Sequence, residues 1–199
     1  MRDEIIKYFI SSSGNIKTLI SNISLINTIE KSVNLITDSL LDSKCLFCAG
    51  NGGSAADSQH LVAELVSKLS RDRDPIKALS LTVDTSILTS ISNDYDYNIV
   101  FSRQLEALGY EGDVFFGIST SGKSKNILNA FEKAKQKKIK TILLTGENLN
   151  LTFKSCDIVI RAPGTETSLI QEAHIIIYHI MCFMIEKKLV EKNFINYRD

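Results

Sequence analysis

The sequence predicts an α/β fold, a three-layer arrangement with a mostly parallel five-stranded sheet flanked by helices and preceded by N-terminal helices. Three observations carry this. From residue 44 onward, short apolar runs alternate with amphipathic stretches of helical period, the pattern of a parallel sheet covered on both faces. Two of the apolar runs end in glycine- or serine-rich turns that open directly into helical stretches. Residues 3–42, by contrast, show helical periodicity and no strand signal.

The N-terminal stretch places Ile5, Ile6, Phe9 and Ile10, then Ile16, Leu19, Ile20, Ile23, Ile26, Ile29, Val33, Ile36, Leu40 and Leu41 at helical spacing. Gly14 reads as a break, with Ser13 or Asn15 capping a second, longer helix. No catalytic or phosphate-type signal lies here, so the expected role of residues 1–42 is packing or oligomer contacts. Strands are expected at Cys45–Ala49, Ala78–Leu81, Asp113–Phe116, Thr141–Thr145 and Ile158–Arg161. Helices are expected at about 54–69, 85–108, 124–138 and 166–189. Pro75 and Pro163 fall in expected loops, and the residues after Lys192 read as a loose tail. No repeat or linker divides the 199 residues, so residues 1–199 are read as one domain.

Bulk properties narrow the function. The chain has 23 basic and 23 acidic residues. A zero net charge lacks the basic excess expected for a nucleic-acid or anionic-membrane partner, so neither is expected. Cys45-Leu46-Phe47-Cys48 spells a CxxC, but positions i and i+3 of a strand point to opposite faces. No second CxxC completes a zinc site, and the pair reads as buried strand residues. The chain does not open on a signal-peptide pattern, and no apolar run approaches the roughly 20 residues of a membrane span. A reducing cytoplasm is the expected compartment.

Chemistry concentrates in Gly50-Asn51-Gly52-Gly53-Ser54, which follows the first strand and runs into a helix. Glycines let the main chain approach a ligand and adopt positive φ. The first N–H groups of a helix are unpaired and carry its positive dipole end, so an anion fits there. The same helix places His60 and Glu64 at i and i+4 on one face, an acid–base or metal pair. One rigid element thus carries both a phosphate cradle and a reactive pair.

A second loop, Gly117-Ile118-Ser119-Thr120-Ser121-Gly122-Lys123-Ser124, follows the third strand and opens another helix. Its hydroxyls and helix start form an oxyanion site. It also spells the G-x-x-x-x-G-K-[ST] loop of nucleotide hydrolases. Against that reading, the loop follows the third strand rather than the first. No apolar run ends in an Asp to hold Mg²⁺, and the first loop with His60 and Glu64 is left without a use.

The last helix carries Gln171, His174 and His179 in an apolar context. At about 100° per residue, His179 lies about 80° around from Gln171 and two turns along, so both can address one broad site. His174 and His179 are about 140° apart and do not face one pocket. A lone histidine on an apolar face is usually a packed core residue, and spacing alone assigns neither a role.

Together these pieces resemble the sedoheptulose 7-phosphate isomerase (phosphoheptose isomerase) family of the SIS domain class. The resemblance covers about residues 45–187. It rests on Gly50 to Ser54 with Asp57, His60 and Glu64; on Ser92-Asn93-Asp94-Tyr95; on Phe101-Ser102-Arg103; on Gly117 to Ser124; and on Gln171-Glu172 with His174 and His179. It implies that Asn51, Gly52, Gly53, Ser54, Asn93, Asp94, Ser119, Thr120, Ser121 and Ser124, with Glu64 and Gln171, bind the sugar phosphate. It implies one Zn²⁺ per subunit held by His60, Glu64, Gln171 and His179, with Glu64 and His179 as the acid–base pair. It further implies a cytoplasmic homotetramer with active sites between subunits. Its activity would convert sedoheptulose 7-phosphate to D-glycero-D-manno-heptose 7-phosphate, the first step toward ADP- or GDP-heptose for lipopolysaccharide, capsule or S-layer glycan. The chain departs from the family pattern at Ser168, Leu169 and Lys123, which bear on substrate contact. A related initiator-associating protein of the same class lacks counterparts of Glu64 and His179. Their presence here favours an enzyme over a sensing or partner-binding module.

Overall fold

A computed structural model describes residues 1–147 and 156–198. Two helices of similar length, α1 (Arg2–Ser21) and α2 (Ile23–Leu41), come first. Then follow β1 (Leu46–Ala49), α3 (Gly53–Val66), β2 (Ala78–Ser80), α4 (Thr85–Asp94), a 3-10 turn at Tyr97–Ile99 and α5 (Val100–Leu108). The chain continues with β3 (Val114–Ser119), α6 (Lys125–Gln136), β4 (Lys140–Gly146), β5 (Ile158–Ala162) and α7 (Thr167–Glu191). The five strands pair in parallel in the order β2-β1-β3-β4-β5. The expected α/β fold class and all five strands are therefore present.

Period two along the strands sorts the core into two layers. Leu46, Cys48, Val114, Phe116, Ile142 and Leu144 face Ile36 of α2, Leu61 and Leu65 of α3, and Ile177 and Met181 of α7. Phe47, Phe115 and Leu143 face Phe101 and Leu105 of α5 and Phe131 of α6. Cys45 packs against the second layer and Cys48 lies in the first, as opposite strand faces require.

Four details differ from expectation. Helix α1 runs straight through Gly14, and the break falls at Asn22, whose side chain accepts from Leu25 N (3.0 Å) and caps α2. Asn15 caps nothing; its amide bonds the carbonyls of Pro163 and Leu169. The expected helix 85–108 is split, because Asp96 accepts from Asn98 N (2.8 Å) and opens the 3-10 turn. The tail is tied down: Ile195 is buried, Asn196 N donates to Asp74 Oδ2, and the Arg198 guanidinium pairs with Asp74 Oδ1 (2.7 Å).

The fourth difference is α7. By length and composition it is long and apolar enough to cross a membrane, although no run of that kind is expected from the sequence. One side of it forms the shared core helix, packed on α1, α2, α3, β4 and β5, while Ile175, Ile180 and Phe183 stay exposed on the other. His174 and Glu186 stand inside that core, while Gln171, Glu172 and His179 are only partly buried.

His174 is fully buried, and among the described residues neither ring nitrogen has a well-formed hydrogen-bond partner. Burial pushes its pKa down from 6.5 to about 4, opposed by the nearby Thr145 backbone. The unfolded chain therefore binds the extra proton between those values. Stability from this group is full above about pH 6.5 and is lost as pH falls toward 4. The shift corresponds to roughly 3 kcal/mol. Urea titrations are expected to show a pH 6.5-to-4 loss smaller by about that amount in His174→Leu than in the wild type.

Arg73 is the second buried polar anchor. Its Nε donates to Glu186 Oε2 (2.9 Å) on α7. Its Nη1 donates to the carbonyls of Leu65 and Asp74, and its Nη2 to Glu64 O (2.7 Å). One guanidinium thus satisfies the carboxyl end of α3 and ties it to α7.

Candidate active site

The loops after β1 and β3 lie side by side. Ala49 is level with Gly117 in the sheet register. Strand order reverses between β1 and β3, so the two chains leave in opposite directions and open a crevice at the carboxyl ends.

The first loop is shaped by its glycines. Gly52, at φ +56°, is the residue that caps α3, which begins one residue before the expected start at 54. Ser54 is buried within the first turn. A Cβ on Gly53 would collide with Gln171 Nε2, so only glycine lets the Gln171 amide lie against the start of α3.

The second loop is tighter than its letters suggest. Gly117 belongs to β3, paired with Ala49 and Leu143, and is not free to wrap a phosphate as a nucleotide loop would. The turn itself spans Thr120 to Ser124. Ser119 Oγ accepts from Gly122 N and sits 3.1 Å from Ser124 Oγ. Ser121 Oγ accepts from Lys123 N, and both of these side chains are exposed. Ser121 therefore faces solvent, while the buried Ser119 hydroxyl is committed to holding the turn, and α6 starts at Lys125.

Two residues not singled out from the sequence join the loops. Asn51 and Asn126 exchange reciprocal amide bonds, both 2.9 Å. Asn126 is buried at the start of α6 and also accepts from Ile127 N. Tyr97 Oη donates to Asn51 Oδ1 (2.8 Å). Asn51, Gly52, Thr82, Thr89, Ser92 and Tyr97 help line a cavity of about 250 Å³. Asn93 and Asp94 follow Ser92 at the exposed end of α4, where Asn93 Nδ2 donates to Asp94 Oδ1 (2.8 Å).

Farther along α3 lies the reactive cluster. Gly53 meets Gln171, His60 meets Tyr178, and Leu61 O meets Cys182, so α3 and α7 run side by side in the same direction. His60 Nε2 is 2.9 Å from Glu64 Oε1. The His60 and His179 rings stand edge to face, with centroids 4.9 Å apart. One ligand atom from each of His60, Glu64 and His179 lies within 4.8 Å of the others. Burial raises the pKa of the neighbouring Asp57 to about 6, opposed by His60. Gln171 is eight residues before His179, about 12 Å along α7, and its amide rests at the phosphate-loop end. His174 is remote from the cluster in role: it is buried on another face of α7.

The cluster fits a zinc ion by its donors. Two imidazoles and a carboxylate are ordinary zinc ligands at about 2.1 Å, which sets ligand atoms at most about 4.2 Å apart. Side-chain adjustments of under an ångström bring the three groups into that range.

Comparison with known proteins identifies the family. The family described as SIS domain matches residues 9–146. A phosphoheptose isomerase of Sulfurimonas denitrificans is 50% identical over 185 residues, covering 92% of this chain and 95% of its own. One from Aneurinibacillus thermoaerophilus is 44% identical, covering 98% of each. The chain belongs to the phosphoheptose isomerase family of SIS-domain proteins. The solved structure of the phosphoheptose isomerase from Neisseria gonorrhoeae superposes with a TM-score of 0.85 at 34% identity, covering 94% of this chain and 98% of that one. A Francisella tularensis phosphoheptose isomerase gives 0.88 at 31% identity, covering 93% of this chain and 97% of that one.

The SIS-domain match takes in both loops with His60 and Glu64, and the alignment to the Aneurinibacillus relative, over 98% of this chain, reaches His179 as well. Asn126 and Tyr97 carry no recognisable sequence signal of their own. Asn126 is two residues past Ser124 in an ordinary helix start, and Tyr97 falls in a stretch that reads as continuous helix.

Proposed function

We propose that this protein is an aldose–ketose isomerase that converts sedoheptulose 7-phosphate to D-glycero-D-manno-heptose 7-phosphate. One observation carries the reading: α3 begins in a phosphate-type loop and bears His60 and Glu64 two to three turns farther on. A substrate held by its phosphate at that end extends its other end toward the pair.

Isomerisation moves a proton between C1 and C2 through an enediol, so it needs one group for carbon and one for oxygen. Glu64, half-buried beside two imidazoles, takes the proton from one carbon and returns it to the other. His179 exchanges the oxygen proton, since an imidazole can donate from one ring nitrogen and accept at the other. Asn51, Gly52, Gly53, Ser54, Ser119, Thr120, Ser121 and Ser124 hold the phosphate, and Asn93 and Asp94 contact the sugar from the end of α4. Fixing the far end of the chain this way orients C1 and C2 at Glu64. His60, Glu64 and His179 would hold a Zn²⁺ ion in each subunit, and Gln171, whose amide lies against Gly53, would join them as fourth ligand only once its side chain turns away from that loop. When bound, that ion supplies Lewis-acid polarisation of the carbonyl.

The exposed Ile5, Ile6, Phe9 and Ile20 of α1, with Ile180 and Phe183 of α7, support a further part of the reading. Residues 1–42 serve oligomer contacts in a cytoplasmic homotetramer whose product feeds heptose into a surface polysaccharide.

The test compares sedoheptulose 7-phosphate with free sedoheptulose. The phosphate ester is expected to be converted. Free sedoheptulose should turn over with a catalytic efficiency at least about 100-fold lower, on the order of a lost charge-assisted anion site. Ser119→Ala with Ser121→Ala is expected to raise KM more than it lowers kcat. An unchanged KM would place the phosphate elsewhere.

A further inference from the structure

We infer that Tyr178 is a positioning residue for the metal centre, its hydroxyl setting the ring orientation and proton position of His60. This rests on the zinc reading of His60, Glu64 and His179.

Tyr178 is fully buried on α7, beside His179 in sequence. Its ring stands edge to face with both histidines, with centroids 5.6 Å from His60 and 4.8 Å from His179. Its Oη lies 2.9 Å from His60 Nδ1, while His60 Nε2 lies 2.9 Å from Glu64 Oε1. The imidazole is therefore held at both nitrogens. His60 is otherwise exposed, with about half of its side chain open to solvent, so packing alone does not orient it.

The hydroxyl has a property that a carbonyl or carboxylate lacks: it can both donate and accept. A Glu64 carboxylate only accepts, so in the metal-free protein a neutral His60 keeps its proton on Nε2 and Nδ1 accepts from Tyr178. A ligating nitrogen must offer a lone pair, so were zinc held at Nε2 the proton would sit on Nδ1 and Tyr178 would accept. The ring loses one proton to solvent at Nε2 and gains one at Nδ1, with no net change. The same hydrogen bond persists in reversed sense once the Tyr178 hydroxyl hydrogen rotates away from Nδ1, and the imidazole ring need not turn.

The test uses the full-length protein and zinc itself. Tyr178→Phe keeps the buried ring and removes only the hydroxyl. Competition with a chromophoric chelator is expected to show zinc affinity weakened by about 10- to 100-fold, the usual effect of losing a partner behind a ligating histidine. The metal-free melting temperature should stay near that of the wild type. In parallel, ¹⁵N NMR of the wild-type His60 ring should place the proton on Nε2 without zinc and on Nδ1 with it. Zinc affinity of Tyr178→Phe within twofold of wild type, or a proton on Nδ1 in the metal-free protein, would overturn the inference. Wild-type protein that binds no zinc would instead overturn the metal reading, and the metal-free ring spectrum would still decide whether Tyr178 donates to His60.

Discussion

Glu64→Gln is expected to lower kcat by about 10³-fold or more, within the range that a positioned general base contributes. Gln occupies nearly the same volume and keeps a carbonyl oxygen near His60 Nε2, so the fold and the phosphate loops should persist. Sugar phosphate binding, read by calorimetry or ligand-detected NMR, should therefore survive. Lost turnover with both sugar phosphate and zinc still bound separates the proton-transfer role of Glu64 from its role as a ligand. Turnover near the wild-type rate would remove Glu64 from the mechanism.

The largest stability effect is expected at Arg73. Arg73→Met leaves Glu186 buried without its partner and strips donors from the carbonyls of Glu64 and Leu65. Breaking one side of a buried ion pair costs about 3–5 kcal/mol, and urea denaturation should show a loss of that order. Adding Glu186→Leu removes the stranded charge and should restore part of the loss. The carbonyls at the end of α3 would remain unpaired, so recovery should be incomplete. Full additivity of the two single losses would show that the pair does not act as a unit.

The strands and both loops were legible because their signals are local. Apolar runs such as Phe115-Phe116 mark strands, and Gly52 marks a positive-φ turn wherever it falls. His60 and Glu64 were legible because an i, i+4 pair needs only a helix to become a site. Helix ends were less so. Gly14 reads as a break, yet an exposed glycine weakens a helix by only about 1 kcal/mol, and α1 passes through it with Asn15 bonded to Pro163 and Leu169. The split after Asp94 depends on Asp96 bonding its own backbone neighbourhood, a competition that apolar spacing does not register. Asn126 and Tyr178 were illegible for a different reason. Their partners, Asn51 and His60, lie 75 and 118 residues away in sequence, and only the packed sheet and the α3–α7 contact bring them together.

The most direct measurement is turnover of sedoheptulose 7-phosphate by the purified protein after chelation, then after zinc is restored, with the heptose 7-phosphate followed by NMR. The geometry of His60, Glu64 and His179 predicts product that falls with chelation and returns with Zn²⁺. No product from zinc-loaded protein that still binds the sugar phosphate would contradict an isomerase and point to a sensing or partner-binding module.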